Sequence, residues 1–107
     1  MFGRFFLGKK EPVVYFLDGR VVRTDDAVVS LYVSCWICFP DPDDCRALID
    51  FYLKDAEFEM KEVNLPLREI ERKDYKTRKP LKYHREALKA GWSLVFHPHK
   101  ISSLSDL

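Results

Sequence analysis

Two short runs rich in β-branched and aromatic residues open the patterned part of the chain: Val13-Val14-Tyr15-Phe16-Leu17 and Arg20-Val21-Val22-Arg23, separated by Asp18-Gly19. Asp-Gly between such runs is a strong hairpin signal, because a type I′ turn needs positive φ at both central positions. The pattern therefore predicts a hairpin over 13–26, closed by a second turn at Thr24-Asp25-Asp26. Ala27 to Cys35 is apolar on both faces, as a central buried strand is. Phe39-Pro40-Asp41-Pro42-Asp43-Asp44 stops that strand and opens a helix. Asp41 suits the N-cap, Pro42 the first helical position, and Asp43 and Asp44 complement the positive end of the dipole. Cys45, Leu48, Ile49, Tyr52, Leu53 and Ala56 follow at helical spacing. Glu57 to Lys61 alternates as a half-buried strand does, and the pattern continues through Val63 and Leu65 until Pro66. Residues 67–79 are polar and irregular. Pro80 to Ala90 predicts a second helix, with Leu81, His84 or Arg85, and Leu88 on one side and Gly91 as its stop. Trp92 to Phe96 reads as a strand, His97-Pro98-His99 as a turn, and Lys100-Ile101-Ser102 as a short returning strand.

From Ala27 onward the expected order is β-α-β-α-β-β, preceded by a hairpin. If the strands of the first β-α-β are neighbours, its helix makes a right-handed parallel crossover. The closing β-β is a tight antiparallel pair. The expectation is an α/β sandwich with a mixed sheet: a lead-in over 1–12, then one domain over 13–107, divided into a hairpin extension (13–26) and a core (27–107).

The 107 residues, 47% of them apolar, suffice for one modest core. Three cysteines is an odd count and argues against a secreted disulfide framework. The N-terminal residues lack the apolar stretch and cleavage site of a signal peptide, and no apolar stretch is long enough to span a bilayer. The expectation is a cytoplasmic protein in a reducing compartment, with no membrane partner. The net charge of +1 hides a segregation: residues 18–62 carry five Lys/Arg against eleven Asp/Glu, and residues 68–89 carry nine against four. The two halves either attract each other across the fold or present opposite faces to partners.

The element order, together with Asp44-Cys45-Arg46-Ala47-Leu48-Ile49-Asp50-Phe51-Tyr52-Leu53-Lys54-Asp55-Ala56-Glu57-Phe58-Glu59, resembles the active-site helix and following strand of a glutaredoxin. Leu94 to Leu107 is similar to that family's strand-turn-strand. The resemblance covers residues 27–107, is nearest to small phage-type glutaredoxins, and implies a thioredoxin-type fold. It places Cys45 at the second cysteine of the family's C-x-x-C. The nucleophilic cysteine then falls on Pro42, the cis-proline near Ser93, and the Gly-Gly that admits glutathione on Ser102-Ser103. Disulfide exchange needs a thiolate nucleophile, and glycine serves where backbone must approach closely. The resemblance thus implies a redox scaffold that has lost its dithiol chemistry.

Three chemistries remain as candidates. Cys35-Trp36-Ile37-Cys38 is a C-x-x-C, but strand residues three apart point to opposite faces. Cys45 near a helix start gains thiolate character if exposed and is a core residue if buried. A thiol-disulfide oxidoreductase using Cys45 or the Cys35/Cys38 pair is the alternative reading, with glutathione as its only implied cofactor. A zinc set of Cys35, Cys38, Cys45 and His97 or His99 has suitable ligand types without metal-site spacing, and no metal is expected. The cation-rich segment 72–89 mixes Arg72, Lys73, Lys76, Arg78, Lys79 and Lys82 with Tyr75 and Tyr83. It suits a protein partner first and nucleic acid second, since lysines neutralise phosphates and tyrosines stack on bases. The leading expectation is a non-enzymatic accessory or inhibitor protein that binds another protein.

Overall fold

The computed structural model describes residues 12–107; the expected lead-in falls outside the described residues except for its last residue, Pro12. The strands are β1 (Val14–Arg23), β2 (Ser30–Ile37), β3 (Phe58–Ile70) and β4 (Trp92–His97). Helix α1 (Pro42–Asp55) joins β2 to β3, and α2 (Arg78–Ala90) joins β3 to β4. The order is therefore β-β-α-β-α-β. All four strands form one sheet in the order β3-β1-β2-β4, and every neighbouring pair is antiparallel.

Three expectations are corrected here. Asp18-Gly19 is not a turn: both residues lie inside β1, and Gly19 is not among the glycines with positive φ. The hairpin is instead β1–β2, turning through residues 24–29, with Val22 opposite Ser30. The strands flanking α1 run parallel to each other but are not neighbours, because β1 lies between them, so the sheet is wholly antiparallel and not the expected mixed one. Residues 100–102 form no strand; the chain continues to a 3-10 turn at Leu104–Asp106.

Both faces of the sheet are buried. Leu17, Val21, Val33, Cys35 and Ile37 point to one side and pack against Cys45, Ile49 and Leu53 of α1. Val14, Phe16 and Trp36 point to the other, against Ala87 of α2 and the tail residues Ile101 and Leu104. This explains why the central strands read as apolar on both faces. Each Val, Leu, Ile or Phe side chain among them, when fully buried, contributes about 1.5–3 kcal/mol.

The helix ends follow local chemistry. Asp41 caps α1, its carboxylate accepting from the Asp43 amide at 2.8 Å. Gly91 closes α2 at φ 96°, a left-handed conformation that favours glycine. Its amide donates to Ala87, and its carbonyl accepts from the Cys38 amide at 2.9 Å, fastening the α2–β4 junction to the end of β2.

The two sheet edges differ. β3 has 13 residues against 10 in β1, and the surplus is taken up by irregular pairings. The register steps past Lys61, past Asn64, and past Pro66-Leu67. Proline has no amide to give a ladder, so it sits at such an irregularity. β4 pairs with β2 in continuous register, with no such step.

Candidate functional site

The polar group best organised by this fold was not apparent from sequence. Asp18, Ser34 and His97 come from three adjacent strands and point to the α2 side; Asp18 lies opposite Ser34, and Tyr32 opposite His97. Asp18 and Ser34 are fully buried. Ser34 Oγ donates to Asp18 Oδ2 at 2.6 Å, and His97 Nε2 meets the same oxygen at 3.0 Å. His97 Nδ1 donates to the His99 carbonyl at 2.7 Å. Both ring nitrogens thus face acceptor oxygens. Asn64, thrown out of register by its bulge in β3, completes the group. Its amide nitrogen donates to Asp18 Oδ1 at 3.3 Å and to the Ile101 carbonyl at 2.6 Å.

These are the residue types of a nucleophile relay in an arrangement that cannot act as one. A relay needs the hydroxyl on one imidazole nitrogen and the carboxylate on the other. Here Ser34 and Asp18 share Nε2, and a backbone carbonyl holds Nδ1. The Ser34 hydroxyl hydrogen already goes to the carboxylate, and the residue is closed to solvent. The cluster is a fastening: it ties the chain after β4 across β2, β1 and the bulge of β3. A cleft of about 460 Å³ lined by Arg20, Tyr32, Glu62, Val63, Asn64 and Lys100 adjoins it, with Arg20 and Glu62 paired at 3.1 Å.

A second buried polar chain runs under α2. Trp36 Nε1 donates to Tyr75 Oη at 3.0 Å, and Tyr75 Oη stands 2.7 Å from His84 Nδ1. Burial pushes the Tyr75 phenol up. The Tyr83 ring packs against Trp36 at 5.2 Å. Both tyrosines of the cation-rich segment therefore use their rings inward.

The three cysteines are free thiols. Cys35 is fully buried on the α1 side, whereas Cys38 packs with the α2-side core, so the C-x-x-C is split between faces. Burial pushes the Cys35 thiol far up, and it also raises that of Cys38. Cys45 does sit in the first turn of α1, but it is buried, and desolvation with Asp41 nearby pushes its thiol up to about 11. A thiol so placed is poorly nucleophilic at neutral pH. Ser93 is on the α2 side and donates to Glu86 of α2 at 3.1 Å. Ser102 and Ser103 donate to Asp106 and cap the last turn. Ser93 therefore faces away from Cys45, across the sheet. The zinc candidates are likewise divided, with Cys35 and Cys45 on the α1 side and Cys38 and His97 on the other.

The exposed charges of the two helices lie on opposite sides of the sheet, whereas Asp18 and Glu62 of the acidic stretch face the α2 side. Asp43, Asp44, Asp50 and Asp55 lie on exposed turns of α1. On the other side Arg72, Lys73, Lys76, Arg78, Lys79, Lys82, Arg85 and Lys89 are all exposed. Among the described residues, Arg78, Lys79, Lys82, Arg85 and Lys89 make no ion pair, and Glu86 is the one acidic residue of α2. No helix of the described residues is long and apolar enough to cross a membrane.

No family model, curated protein or solved structure matches the chain.

Proposed function

We propose that this protein works as a binding module whose cationic α2 face docks on an acidic surface of another protein. One observation carries the reading: five cations that make no ion pair among the described residues lie exposed along α2, on the opposite side of the sheet from the acidic helix α1. Such a dipolar molecule is steered and oriented by a compact acidic patch. An extended polyanion would also meet the acidic side, and single-strand binding would need exposed aromatic rings. Tyr75 and Tyr83 are committed to Trp36 and His84, which favours a protein over a nucleic acid.

The glutaredoxin resemblance enters this proposal through what is missing. Pro42 opens α1 where the resemblance puts a nucleophile, and of the cysteines present Cys35 and Cys45 are buried and Cys38 is half-buried. The reading is therefore a scaffold that binds without exchanging disulfides.

Two probes of equal charge test it in low salt: a Glu-rich peptide and a single-stranded oligonucleotide. The proposal expects the peptide to bind with strong salt dependence, and Lys79→Glu with Lys82→Glu to abolish binding while the fold stays intact. Exposed ion pairs contribute only about 0.2–1 kcal/mol each, so the affinity rests on several together. Tight oligonucleotide binding with little peptide binding would move the function to nucleic acid. Absence of binding to either probe would overturn the reading.

A further inference from the structure

We infer that β4 is a self-pairing edge: two copies of this chain join β4 to β4 antiparallel, about a two-fold axis perpendicular to the sheet, with Trp92 of each copy opposite Phe96 of the other. The surface is separate from the cationic side of α2 and stands independently of that reading.

Sheet edges are hazards that chains guard with charge, proline and bulges. β3 carries all three: Glu59, Lys61, Glu62, Arg68 and Glu69, Pro66, and its stepped register. β4 carries none of them. Its sequence Trp-Ser-Leu-Val-Phe-His has no Asp, Glu, Lys or Arg, its pairing with β2 is regular, and among the described residues it has no second strand neighbour. About half of its backbone amides and carbonyls therefore point outward without a ladder partner.

The occupant follows from the strand's own pattern. A two-fold axis perpendicular to the sheet keeps each face with its like face, so residues of equal parity meet. Centring the axis on Leu94 sets Trp92 against Phe96, Leu94 against Leu94, and Ser93 against Val95, with no charge opposite a charge. Trp92 and Phe96 are 38% and 36% exposed, yet both rings are already held in place. Trp92 stacks on Tyr52 of α1 at 4.5 Å, and Phe96 packs on Phe58 at 4.8 Å. Rings fixed beforehand lose little freedom on pairing. In the pair, the row Phe51–Tyr52–Trp92 would continue into Phe96–Phe58 of the second copy. On the α2 side Ser93 of β4 donates to Glu86 of α2. A six-residue strand pair falls short of the roughly 1,200 Å² of a standard stable interface, so the dimer should be weak, with Kd on the order of 10–100 μM.

The test is sedimentation of the full chain from micromolar to millimolar concentration, with circular dichroism confirming that each variant folds. The wild type should pass from monomer to dimer. Phe96→Lys alone and Trp92→Glu alone should each remain monomeric. The double variant, which sets Glu opposite Lys twice in this register and in no other, should recover the dimer. A mixture of isotopically labelled and unlabelled wild type should show intermolecular contacts between the Trp92 and Phe96 rings. A wild type that stays monomeric at about 1 mM would overturn the proposal. So would a dimer unaffected by Phe96→Lys, or one lacking the Trp92–Phe96 contact.

Discussion

Replacing Asp18 by asparagine removes one charge and almost no volume, and it tests whether the buried polar cluster holds the tail. All three partners approach as donors: Ser34 Oγ and His97 Nε2 at Oδ2, and Asn64 Nδ2 at Oδ1. An amide offers one acceptor oxygen. Either its NH₂ faces Asn64, or it faces Ser34 and His97. Asn64 cannot turn to compensate without giving up its 2.6 Å bond to the Ile101 carbonyl. Hydrogen bonds to a charged group contribute about 1.5–3 kcal/mol, and breaking a buried pair costs about 3–5. We expect a loss of about 3 kcal/mol, a large share of the roughly 5–15 kcal/mol that holds a small domain. At about 4–8 °C per kcal/mol, the midpoint should fall by roughly 12–24 °C. Ser34→Ala removes a single donor to the carboxylate and should cost about 1.5–3 kcal/mol. Urea and thermal unfolding followed by circular dichroism measure both. An Asp18→Asn variant within about 0.5 kcal/mol of the parent would refute the fastening role.

Gly19→Ala should lose about 2–4 kcal/mol in urea unfolding, because the added β-carbon lands on Met60 Sδ and on the Glu62 backbone carbonyl, which moves only if β1 and β3 part; parent-like stability would count against this register. With its thiol pushed up to about 11 from 9.0, Cys45 should be alkylated at pH 8 at about one hundredth the rate of an ordinary thiol, rising roughly tenfold per pH unit. Cys45, located by peptide mapping, labelled at the rate of free cysteine in the native protein would contradict that, and would revive the redox alternative. Asp106 accepts from the Ser102 amide and hydroxyl and from the Ser103 amide, which hold its carboxyl below the usual 3.8. A depressed carboxyl stabilises the fold above its unfolded value and ceases to do so as pH falls through the lower folded one. The Ser102 amide resonance should therefore shift with a midpoint below 3.8, whereas a midpoint at or above 3.8 would contradict the cap.

Local rules located the helices because their signals are local. Asp41, Pro42 and the stripe from Cys45 to Leu53 mark α1, and Gly91 marks the end of α2. The strands flanking them were legible for the same reason, and so was the splitting of Cys35 from Cys38 between faces, but β3 does not end at Pro66: the proline sits at a register step and the strand pairs on to Ile70. Asp18-Gly19 misled because the hairpin signal is also local, whereas the demands at those two positions are not. Gly19 is there to let Met60 and Glu62 pass, and Asp18 to meet Ser34 and His97, whose sequence separations from it are 16 and 79 residues. A clue was present: one acidic residue inside ten otherwise strand-like positions, and a serine at the centre of the most apolar run. Strand order was out of reach, since nothing within 27–65 says that β1 intervenes between the strands that α1 connects. Charge segregation was visible, but whether the halves meet or diverge depended on which side of the sheet each helix takes.

The most direct test of the binding reading is an amide-resolved titration of the whole protein with the Glu-rich peptide in low salt. The account expects shifts concentrated on the α2 amides from Arg78 to Lys89 and abolished by added salt. Shifts confined to α1 or to the β1–β2 turn, or none at millimolar peptide, would contradict it.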